Sequence, residues 1–121
     1  ARGRSNTPMQ ALQLMNDIQH VEAARNLAQR ILKEGGAKDN QRIQWAWRTV
    51  TSRRPAPDEA KIITDVLKEH RSRYAEDLEA AKQLIAYGES VPDKELAPHE
   101  LASWTLVANL LLNLDEVVNK N

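Results

Sequence analysis

Histidines, acids, serines and arginines are the side chains through which a chain of 121 residues without cysteine could do chemistry. His20, His70 and His99 lie in three separate segments, without the HxxxH or HExxH spacing that brings two imidazoles to one metal, and no thiolate can complete a set. Asp115 and Glu116 are adjacent. Neighbours on a helix point about 100° apart, so this pair cannot flank one glycosidic bond. Ser5, Ser52, Ser72, Ser90 and Ser103 stand in no GxSxG setting, and the four glycines make no phosphate loop. The chain is therefore expected to carry no catalytic residue, no metal and no cofactor of its own.

Binding chemistry is more open. Arg42, Arg48, Arg53 and Arg54 cluster around "TSRRPAP" and could receive an anion or nucleic acid. Cations near a helix C-terminus also simply complement its dipole, and 17 basic against 17 acidic side chains leave no long-range field, so nucleic acid is the lesser reading. Asn16 in "LMND" and Asn113 in "LLNLD" are amides set in strongly apolar helices, where an unmatched polar group costs about 1 to 3 kcal/mol. They are expected to find partners across helices and fix the packing register. Alternatively, with Asp17 and Asp115 they line the wall of a cleft completed by preceding domains. Trp45 falls off the apolar face of its own helix and marks either a satellite contact or an interface.

The elements that must position these residues are helices. Strand alternation is hardly detectable, and Ala, Leu, Gln, Glu, Lys and Arg dominate. The first helix is predicted from about Pro8 to Glu34, capped by Thr7 and stopped by Gly35-Gly36, with a kink possible at Asn16-Asp17. Its stripe is Leu14, Ile18, Val21, Ala24, Ala28 and Ile31. A second helix, about Asp39 to Ser52, turns Ile43, Ala46, Trp47 and Val50 inward. A third starts at Pro57 with Ile63, Val66, Leu67 and Tyr74 inward, His70 at the edge of that face, and Glu69 and Arg73 as an outward pair. A fourth, about Asp77 to Tyr87, uses Leu78, Ala81, Leu84 and Ile85. After the connector "GESVPDKELAP", a fifth runs from Pro98 to about Asn119, apolar around almost its whole circumference and hence central or covered by another protein.

Hydrophobic residues at 41% and charged residues at 28% are those of a folding chain, and 121 residues are one domain's worth. The architecture expected is all-α: a compact bundle of about five helices, some crossed, with no sheet and no solenoid repeat. "WTLVANLLLNLDEVV" includes two Asn and two acids and falls short of the ~20 residues of a membrane span.

"RSNTPMQALQLMND", "VEAARNLAQRIL" and the later "ELASWTLVANLLLNLDEVV" resemble the C-terminal part of the planctomycete domain-of-unknown-function family 1553. "AWRTVTSRRPAPDEAKIITDVL" is similar to that family's aromatic helix, Arg-Pro turn and amphipathic helix. Val117 departs from the bulky aromatic usual after "NLDE", and Ala56 replaces a common Ser or Thr cap, weakening it by about 1 kcal/mol. The resemblance implies an extracytoplasmic setting in a large bacterial protein, often with a cytochrome c-like domain at the front, and brings no established reaction. On it, the chain is expected to be a single helical domain, the C-terminal segment of a multidomain parent. Its role would be structural and interactive, its partners the upstream domains or another protein, and its contact points Trp45 and the fifth helix.

Overall fold

Helix formers prevail in every segment, and the computed structural model describes residues 18–88 and 90–120, with side chains at 21–88 and 90–114. Among the described residues there are five helices and no strand: α1 (Ile18–Glu34), α2 (Asp39–Thr51), α3 (Pro57–Glu76), α4 (Leu78–Ile85) and α5 (Pro98–Lys120). They form the bundle that the sequence predicts. The predicted Thr7-Pro8 start and the Asn16-Asp17 kink lie outside the described residues.

Val21, Ala24, Ala28 and Ile31 are buried along α1, and the small side chains in this row let another helix approach closely. That neighbour is α5, and α1 with α5 is the most extensive helix pair. Gly35 accepts no larger side chain, because an added Cβ would stand 2.6 Å from the Ile31 carbonyl. Gly36 then takes the left-handed conformation (φ 106°) that reverses the chain.

α2 opens at Asp39, as the sequence predicts, and its cap is the residue before. Lys38 is the extended N-cap residue, and Gln41 Oε1 accepts from the Ala37 and Lys38 N–H groups at 3.1 Å each. Ile43, Ala46 and Trp47 are buried and Val50 half-buried, as the spacing predicts. In α3 Pro57 occupies the first turn, and Glu59 accepts from the Ala56 N–H at 2.8 Å, supplying half of a capping box where Ala56 has no side-chain acceptor. The favourable pair along α3 is Lys61 to Asp65 (3.2 Å) rather than Glu69 to Arg73. Asp77 separates α3 from α4: its N–H donates to the Arg73 carbonyl, and its carboxylate accepts from the Ala80 N–H. α4 is shorter than predicted, and Leu78, expected inside, is 48% exposed because it lies at the first turn next to this cap.

α5 runs through the middle. Residues 101–109 are buried without interruption, and α5 touches each of the other four helices. Trp104 is fully enclosed. Ser103 and Thr105, buried in this apolar setting, donate to the carbonyls of His99 (2.6 Å) and Leu101 (2.7 Å), one turn back on the same helix.

Two polar clusters hold the bundle, and neither was expected. Arg25, 1% exposed, donates to the Ile85 carbonyl at 2.7 Å, to the Tyr87 carbonyl at 3.3 Å and to Ser90 Oγ. Arg71 of α3 makes paired bonds to Asp39 of α2 (2.8 and 3.0 Å) and to Glu100 of α5 (2.6 and 3.0 Å). The bidentate fork joins three helices. Its hydrogen bonds hold the Asp39 carboxyl below the usual range, although partial burial works against them.

Candidate functional site

The outer face of α2 carries two clefts among the described residues. Trp45 is half-buried: its ring packs at the margin of the core, and the Arg30 guanidinium of α1 lies over it, 5.2 Å from the ring centre. Trp45 lies off the core-facing side of α2, as the spacing predicts, and α1 passes close enough for Arg30 to cover one side of its ring. Two shallow clefts of about 450 and 390 Å³ flank Trp45 and share it with Arg48. Thr49 and Ser52 line the first; Gly35, Asn40, Gln41 and Gln44 line the second. No carboxylate among the described residues lines either.

The four arginines singled out by sequence separate into two kinds. Arg53 pairs with Glu59 through two bonds (3.0 and 3.1 Å) and lies over the buried Trp47 ring at 5.3 Å. Those bonds, and the Ala56 N–H, bring the Glu59 carboxyl down to about 2. Arg42 Nε donates to the Gly36 carbonyl at 3.0 Å and closes the turn before α2. Arg48 and Arg54 are exposed, and neither side chain makes an ion pair or hydrogen bond among the described residues. Half of the supposed anion patch is thus engaged by the chain's own carbonyl and carboxylate groups, although it stays near the surface.

Asn113 is half-buried rather than enclosed, so water reaches its amide and no partner is required. The enclosed amide is Asn109, one helical turn earlier and 4% exposed, whose Oδ1 has no hydrogen-bond partner among the described residues. Asn16 and Asp17 lie outside the described residues, as does the side chain of Asp115, so the cleft wall predicted from these four is not assembled among the described residues. His70 is buried at 8% exposure, and its Nδ1 has no hydrogen-bond partner among the described residues. Burial, helped by Arg73, holds its pKa below the usual histidine value. His99 Nε2 stands 3.8 Å from the neighbouring Glu100 carboxylate at the start of α5. The surplus apolar surface expected on α5 is mostly consumed by the chain's own helices, and what remains open is near Leu114, 38% exposed.

Sequence reasoning missed Arg25 and Arg71. Arg25 is four residues after Val21 and three before Ala28, in register with the buried stripe, and that register was the available signal. Nothing local marks Arg71, because its two acids come from other helices.

Among the described residues, no three His, Cys, Asp or Glu side chains are grouped as a metal site, and no helix is long and apolar enough to cross a membrane. Fold and surface together define an all-α bundle whose conspicuous feature is a polar, arginine-bearing face around one tryptophan. The family model described as PSD1, protein of unknown function (DUF1553), matches residues 1–67, and the chain belongs to that family. The match spans α1, α2 and the first half of α3, and ends before α5. No curated protein and no solved structure matches the chain.

Proposed function

We propose that this chain is a non-catalytic structural and interaction module of a large secreted bacterial protein, joined to domains that precede it. Membership of the DUF1553 family supports the setting through the planctomycete, multidomain resemblance of its sequence. The extracytoplasmic location rests on that resemblance alone. The observation that carries the interaction role is the α2 face: a partly exposed indole, two clefts without carboxylates among the described residues, and an exposed guanidinium beside them. Trp and Arg dominate the energetics of protein interfaces when a partner desolvates them.

The test is binding of this module to the region preceding it in the parent chain. Trp45→Ala is expected to weaken that binding by about tenfold or more, as removal of an interface anchor does. Because Trp45 also touches the core, Gln44→Ala, at an exposed position, is measured beside it with the melting temperature of both. Unchanged binding in both variants overturns the proposal.

A further inference from the structure

We infer that the α2 face around Trp45 and Arg48 docks an acidic protein segment, which sets a carboxylate against the Arg48 guanidinium. This rests on the interaction reading above and gives the partner its chemistry.

Charge complementarity carries the inference. Several cations on or against α2 have acids of their own: Arg30 stands 3.6 Å from Glu34, Arg53 is held by Glu59, and Arg71 by Asp39 and Glu100. Among the described residues Arg48 and Arg54 have no such acid, and Arg48, exposed, lines both clefts. A guanidinium presents a planar fork that matches a carboxylate with two parallel bonds. Arg30, over the Trp45 ring, is balanced by Glu34 and leaves Arg48 as the cation at the clefts that a carboxylate would meet.

The remaining lining, among the described residues, consists of amides, hydroxyls and one glycine, with neither acid nor lysine. Aromatic and Arg enrichment with loss of Lys, Glu and Asp is the composition of a protein interface. Gln41 has its carbonyl committed to the Ala37 and Lys38 N–H groups, while its amide nitrogen carries donors for a partner. Both clefts are shallow and open, which suits a segment lying across them better than an enclosed small molecule. Nucleic acid fits poorly, because its affinity comes from several phosphate contacts made together, and two of the four arginines on this side are engaged internally.

The experiment follows the Trp45 indole N–H resonance, assigned with Trp45→Phe, in the intact chain. The probes are two peptides of equal length that share their apolar positions, one carrying glutamates and the other lysines, together with oligogalacturonate. The glutamate peptide is expected to shift Trp45, and its affinity is expected to fall as salt rises and to drop about tenfold in Arg48→Glu but little in Arg48→Lys. Arg48 is exposed, so these variants keep the fold, and the unchanged remainder of the spectrum verifies it. Equal binding of the lysine peptide at Trp45 overturns the acidic partner and leaves the interaction reading standing. Binding of oligogalacturonate without the glutamate peptide overturns the choice of a protein. Absence of any shift at Trp45 overturns the docking surface.

Discussion

His70 lies on the inner side of α3, 8% exposed, with Arg73 and Glu69 as the nearby charges that affect it. Burial penalises the imidazolium first, Arg73 adds to this, and Glu69 opposes it in part. The folded chain therefore binds fewer protons here than the unfolded one at mildly acidic pH. By linkage, the stability is complete above the ordinary histidine pKa of about 6.5 and is lost as the pH falls from there toward the lower folded value. Urea midpoints of the native chain are expected to decline between pH 7.5 and 5.5, a window around that ordinary value of about 6.5. His70→Leu should flatten much of the decline. Equal slopes in the two proteins would show that His70 is not its source. The carboxyl of Asp39, held low by Arg71, acts at more acidic pH, where its contribution disappears as the pH drops below about 4.

Helix α1 acts as a clamp on the connector between α4 and α5. Glu22, Arg25, Gln29 and Lys33 recur at three- and four-residue steps, so one face of α1 presents all four. Glu22 accepts from the Ser90 N–H (2.6 Å) and from its hydroxyl, Gln29 accepts from the Asp93 N–H (2.9 Å), and Lys33 pairs with Asp93. Gly88 passes so near that an added Cβ would stand 2.6 Å from Glu22, and its φ of 96° suits glycine alone. Arg25 is the buried member of this row. Arg25→Leu strips the Ile85 and Tyr87 carbonyls of their donor and is expected to cost about 3 kcal/mol in urea unfolding. It should also speed hydrogen exchange at Ser90. Arg30→Ala, at a side chain 54% exposed whose partner is equally open, should stay within about 0.5 kcal/mol. If the two variants have similar stability, the clamp does not hold the fold in the way its geometry indicates.

Across the whole molecule, one hydrophobic cluster draws on all five helices, with α5 in contact with every other element. Most of the contact between the described helices is made with α5. Unfolding is therefore expected to be a single cooperative transition, in which tryptophan fluorescence and far-ultraviolet circular dichroism give the same midpoint. A fragment of residues 18–97 should lack fixed tertiary structure. Separate midpoints, or a folded fragment, would contradict a core centred on α5.

Helix content, the inward faces of α1, α2 and α3, and the central place of α5 were legible in the sequence, because apolar side chains at three- and four-residue spacing have to leave water whatever lies opposite them. Trp45 could be located as an outlier from its own helix face for the same reason. Which polar groups are spent was decided only in three dimensions. Arg53 and Arg48 stand in one short stretch, yet Glu59 reaches the first and no described acid reaches the second. Asn109 rather than Asn113 is enclosed, because helix packing tightens over residues 101–109 and opens beyond them. Arg25 and Arg71 take partners about 60 and 30 positions away in the chain. Local periodicity reports burial, whereas the pairing of charges depends on which distant backbones and side chains the fold brings within hydrogen-bond reach.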